Sequence, residues 1–133
     1  MSLDNCFISY KSFYDSDNLK TVTINNCPTI CSQSFASCNI ETLVLSGNIE
    51  IIESEAFIDN KITTITFNNT LKQINRRAFY NNPLVKELIL PTTVNKIYYQ
   101  AFSKTNIEKV SVSVSAMVDE EAFDSDVEIT LLQ

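Results

Sequence analysis

A hexapeptide of the form Ile-x-x-x-(Ala or Ser)-Phe recurs six times along the chain and leaves few folds open to it. The copies begin at Ile8, Ile30, Ile52, Ile74, Ile97 and Val118, the last exchanging one β-branched residue for another. They end at Phe13, Phe35, Phe57, Phe79, Phe102 and Phe123, spaced 22, 22, 22, 23 and 21 positions apart. A period in the twenties marks a solenoid: one unit is too small to bury its own apolar side, so each coil buries it against the next. With 44% apolar residues the chain can build one continuous core, and unbroken periodicity leaves no room for a linker. A single domain over residues 1–133 is expected.

A second pattern lies between the phenylalanines. Leu19-x-x-Val22-x-Ile24, Ile40-x-x-Leu43-x-Leu45, Ile62-x-x-Ile65-x-Phe67, Val85-x-x-Leu88-x-Leu90 and Ile107-x-x-Val110-x-Val112 share one L-x-x-L-x-L frame. Its last two apolar sites are two apart, so both point to one side of a β-strand, and the β-branched content favours that strand. Three residues after each frame stands a small side chain, Cys27, Asn48, Thr70, Thr93 or Ser115. There the chain turns inward and its backbone groups need a side-chain partner. In the hexapeptide, Ile and Ala lie one helical turn apart, which predicts a short helical or 3₁₀ turn on the outer side with Phe turned into the core. The phenylalanines should then form one stacked column. With a single glycine, Gly47, and three prolines, the turns fall to Asn, Asp, Ser and Thr.

The frame, its polar turn and the hexapeptide together resemble the BspA-like, or treponemal-type, leucine-rich repeat. Leu88-Ile89-Leu90-Pro91, Val94, Ile97 and Ala101-Phe102 follow the family pattern closely, and Cys38 sits where the family often has a cysteine. The glycine usual before Ala-Phe is missing. The resemblance runs from residue 8 to about 131 and implies a mainly β, right-handed leucine-rich-repeat solenoid of about six 22-residue coils with short helical or 3₁₀ turns. It further implies a non-catalytic recognition module, at the cell surface or secreted, that mediates adhesion to host cells or matrix. An intracellular scaffold for protein partners, in the cytoplasm, is the alternative. Met1-Ser2-Leu3-Asp4-Asn5 has neither the basic region nor the apolar stretch of a secretion signal. Apolar residues at both ends, Cys6-Phe7-Ile8 and Val127 to Leu132, suggest a piece of a longer array, with end-to-end self-association as a consequence.

Two surfaces could meet a protein or glycan. On the inner sheet the outward side chains form ladders: Thr21 and Thr23, Thr42 and Val44, Thr64 and Thr66, Glu87 and Ile89, Lys109 and Ser111. Threonine is also simply a good exposed strand residue. The outer turns are richer in the arginine and aromatic anchors of tight interfaces. Arg76 lies one coil from Tyr98 and Tyr99, within reach of a cation–π contact. Lys20 with Glu41 and Lys86 with Glu108 read as surface pairs worth at most about 1 kcal/mol.

Other chemistries find little support. Ten basic against sixteen acidic residues, net charge −6, disfavour nucleic acid and anionic membranes. No apolar run is long enough to span a bilayer as a helix. Histidine is absent, removing the commonest general base and neutral metal ligand. Cys27, Cys31 and Cys38 lack the paired spacing of a zinc site, and Asp15-Ser16-Asp17 and Asp124-Ser125-Asp126 do not continue as calcium loops. No enzyme, metal or cofactor is expected. All four cysteines, Cys6 included, fall in the first third and could form two disulfides or none.

Overall fold

The computed structural model describes residues 1–133 as a parallel β-solenoid. One sheet of the inner wall orders β1 (Ser2–Asp4), β2 (Thr21–Asn25), β4 (Thr42–Ser46) and β6 (Thr64–Thr66) side by side. A second comprises β8 (Glu87–Ile89), β10 (Lys109–Ser113) and β12 (Glu128–Leu132). The outer wall is one sheet of β3 (Thr29–Ile30), β5 (Ile51–Ile52), β7 (Gln73–Ile74), β9 (Lys96–Ile97) and β11 (Met117–Val118). The hexapeptide isoleucines pair directly, Ile30 with Ile52, Ile52 with Ile74 and Ile74 with Ile97. One circuit of backbone therefore separates consecutive copies.

The six phenylalanine rings form a single column, with centroids 5.0 to 5.3 Å apart and planes within 10° of parallel. Phe35, Phe57, Phe79 and Phe102 are sealed from solvent, while Phe13 at one end is half-buried. Alanine beside the ring allows this approach: Ala56, Ala78, Ala101 and Ala122 are fully buried against the next coil. Ser34 occupies the same slot, and its buried hydroxyl has no hydrogen-bond partner.

The expected helical turn does not form; the chain contains no helix. The reason lies in where the N–H groups go. Those of Glu55, Phe57 and Asp59 donate across to the carbonyls of Arg76, Ala78 and Tyr80 in the next coil, at 2.9 to 3.0 Å. Only Ala56 and Ile58, between them, bond back three residues within their own coil. A helix keeps every N–H inside one segment and could not make this ladder. The alternation instead requires left-handed residues, at Glu55 (φ 59°) and Asp59 (φ 56°) and at the equivalent sites Lys11 and Asp15, Gln33 and Ser37, Arg77 and Asn81, Gln100 and Lys104. The first residue of each pair stands where the family pattern has glycine. Without it each left-handed residue costs roughly 1–2 kcal/mol, offset by the inter-coil bonds.

A polar slot three residues after each phenylalanine holds the inward corner. Asn60 accepts the N–H groups of Cys38 and Ile40 and donates to the carbonyls of Phe35 and Phe57. Asn82 accepts from Ile62 and donates to Phe57 and Phe79. Cys38 donates its thiol to the Phe13 carbonyl, and Thr105 its hydroxyl to that of Phe102. Buried backbone carbonyls of the aromatic column are thus satisfied. The slot after the strand frame is less regular than expected. Cys27 is buried, but Asn48, Thr70, Thr93 and Ser115 are exposed; Thr70 still bonds Ile49 on the preceding coil, and Asn68 provides the buried amide beside it.

One frame position is corrected. Leu84, not Val85, fills the core in the fourth frame: Leu84 is buried with φ 53°, whereas Val85 is 39% exposed. This stretch holds the extra residue of the 23-residue interval between Phe79 and Phe102. At the last inner strand Ile129 and Leu131 remain exposed.

Candidate protein-recognition surfaces

On the outer wall the turns of successive coils bring Arg76, Tyr98 and Tyr99 together. The Arg76 guanidinium lies 5.9 Å from the centre of the Tyr99 ring, the cation–π distance the one-coil offset predicts. With Ser54, Gln73, Asn75 and Asp119 they line a shallow hollow of about 340 Å³. Arg76 and Tyr98 are exposed and Tyr99 half-buried, so the aromatic surface is presented rather than consumed by packing. Arg77 behaves differently: its Nε donates to Gln100 Oε1 at 2.7 Å and its guanidinium lies 5.1 Å from the Tyr80 ring. Lys104 approaches the same ring, and Lys11 stands between Tyr10 and Tyr14, making two further basic–aromatic clusters that the sequence reading did not assemble.

The inner-wall ladders form, but as two runs rather than one. Thr21, Thr42 and Thr64 share a row, with Thr23, Val44 and Thr66 in the row beside it. Glu87, Lys109 and Glu128 form a separate row, flanked by Ile89, Ser111 and Thr130. Between Thr66 and Glu87 the wall is interrupted. Lys86 pairs with Glu108 at 3.1 Å as expected, whereas Lys20 and Glu41 do not pair, and Lys72 with Glu50 at 3.3 Å is the second ion pair. Both pairs are well exposed and contribute little to stability.

Among the cysteines the fold singles out one couple. Cys6 and Cys27 place their sulfurs 3.0 Å apart across the first two coils, while Cys38 is buried in the polar slot. Burial pushes the Cys6 thiol up to about 11, helped by the adjacent Cys27. No helix is long and apolar enough to cross a membrane.

Stacked parallel coils of this period, with short strands on one wall and a buried aromatic column, define a leucine-rich-repeat scaffold, a class built for recognition through its surfaces. The family model of the BspA type leucine rich repeat region matches residues 7–130 in six copies. The chain belongs to that family. Comparison with curated proteins gives no match.

Proposed function

We propose that this solenoid is a cell-surface adhesion module that holds a host or matrix protein on its outer wall. The observation that carries the reading is the Arg76–Tyr98–Tyr99 cluster, in which Arg76 and Tyr98 are exposed beside the half-buried Tyr99. Arginine and tyrosine are the residue types that dominate binding energy at protein interfaces, and here they lie on a rigid, repeated framework at little ordering cost. The inner rows Thr42, Val44, Thr64 and Thr66, with Glu87, Ile89 and Lys109, offer a flatter surface that would add contact area. The free thiols of Cys6 and Cys27 stand close enough to crosslink under oxidising conditions, which is compatible with an extracellular setting.

The test is binding of the purified protein to decellularised epithelial matrix in a solid-phase assay. Saturable binding is expected, and the triple variant Arg76→Ala, Tyr98→Ala, Tyr99→Ala should weaken it at least tenfold while its denaturation curve stays put. Unchanged binding by the folded triple variant removes the cluster from the role, and absence of saturable binding by the native protein removes adhesion.

A further inference from the structure

The interruption in the inner wall has the chemistry of a strand-binding slot. β6 pairs only with β4 and β8 only with β10, and no Cα of one lies within 8 Å of a Cα of the other. Paired strands lie about 4.8 Å apart, so a slot for one guest strand needs about 9.6 Å. The coils themselves have not separated. The Phe79 and Phe102 rings stack at 5.3 Å, β7 pairs with β9, and the Leu84 N–H reaches the Ile62 carbonyl at 2.8 Å. The opening is therefore a window confined to one wall.

Its cause is local sequence. The extra residue beside Leu84 displaces Val85 outward and shifts the start of β8. At the far end Pro91 has no N–H to offer the preceding coil, the placement expected of proline on a sheet edge.

Backbone alternation shows what the window presents. Thr64 bonds back to Glu41 and Leu90 bonds forward to Ser111, so Ile65 and Phe67 on one side and Glu87 and Ile89 on the other turn their amides toward the gap. Phe67 makes no backbone hydrogen bond in the chain. The floor is apolar core laid open: Ile65 and Phe67 occupy the slots in which Leu43 and Leu45 are sealed, yet both are only half-buried. A hollow of about 480 Å³ follows the window. Its one charged lining residue is Glu87, which pairs with no cation.

We infer that the window takes an extended segment of a partner protein, which adds as a strand between β6 and β8 and completes the inner wall. Two unpaired edges facing each other call for a polypeptide backbone, because only that supplies donors and acceptors along both sides. The open floor selects apolar side chains at alternate positions, and Glu87, on a chain of net charge −6, selects a basic residue beside it. This rests on the reading of the chain as a protein-recognition module but not on the outer-wall cluster.

The probe is a fluorescent octapeptide of alternating valine and threonine ending in lysine. Its twins carry N-methylated alternate amides or glutamate in place of lysine. Polarisation should report saturable binding of the parent, none of the N-methylated twin, and at least tenfold weaker binding of the glutamate twin. Amides of Ile65, Phe67, Glu87 and Ile89 should slow in hydrogen exchange at least tenfold when the parent is bound. Glu87→Lys should reverse the lysine-over-glutamate preference. Deletion of Val85, which shortens the 23-residue interval to the 22 of the three intervals before it, should close the window and abolish binding. No parent binding, or binding without protection of those four amides, overturns the slot; so does protection that appears on self-association without peptide. Peptide binding with no matrix binding would leave the slot standing and remove adhesion alone.

Discussion

Replacing Phe79 by alanine tests the aromatic column most directly. The ring is fully buried, stacked at 5.3 Å on Phe57 and on Phe102, and met edge-on by Phe67 at 6.0 Å. Loss of the ring's transfer energy together with the cavity left behind costs roughly 3–5 kcal/mol, within which each aromatic contact represents about 0.5–1.5 kcal/mol. Phe13 provides an internal comparison, because it is half-buried and stacks on Phe35 alone. Halving the burial and keeping one stacking partner lowers the expected cost of Phe13→Ala to roughly 2 kcal/mol. Urea denaturation followed by circular dichroism would measure both, provided the slope with denaturant stays constant so that one cooperative unit is being compared. The gradient between the two sites is the diagnostic quantity. If Phe79→Ala cost less than about 1 kcal/mol, or Phe13→Ala cost as much as Phe79→Ala, the column would not be what binds coil to coil.

Three further outcomes are expected. Asn82→Leu keeps the volume but strands the Ile62 N–H and the Phe79 carbonyl and leaves the Phe57 carbonyl with Asn60 as its one side-chain donor, so it should cost about 2–3 kcal/mol and speed exchange of the Ile62 amide. Equal exchange in the variant would show that the amide is not the partner. Ser34→Ala removes a buried hydroxyl that bonds to nothing and installs the residue used by other coils, so it should stabilise the protein by about 1 kcal/mol in the same denaturation assay. Oxidised glutathione should close Cys6 to Cys27, visible as the loss of two hydrogens in intact mass and abolished by Cys6→Ser; the crosslink should stabilise by about 3 kcal/mol. Because thiolate is the attacking form and the Cys6 thiol is raised to about 11, closure should accelerate as pH rises toward that value, and a pH-independent rate would refute the assignment.

Much of the architecture was legible from residues alone, for a physical reason. In a solenoid each coil meets a near copy of itself, so a side chain's partner is the same slot one period away. The stacking of Phe57 on Phe79 and the approach of Arg76 to Tyr99 follow from counting. The outer turn was misread because Ile and Ala four apart suit a helix as well as a ladder of alternating bonds. What decides between them is the backbone demand of the neighbouring coil, which no local spacing encodes. Asn60 and Asn82 were passed over for a related reason. Asparagine is ordinary at turns, and its burial on the carbonyls of the aromatic column becomes visible only when two coils are stacked.

The chain's own text determined the period, the coil, the identity of the interior column and the wall on which Arg76, Tyr98 and Tyr99 gather. Tertiary structure alone decided that Leu84 displaces Val85 from the core, that the inner wall parts between β6 and β8, and that Cys6 meets Cys27. Periodicity specifies what every coil has in common. One additional residue and one proline are departures from it, and their effect depends on how strain is shared between neighbouring coils.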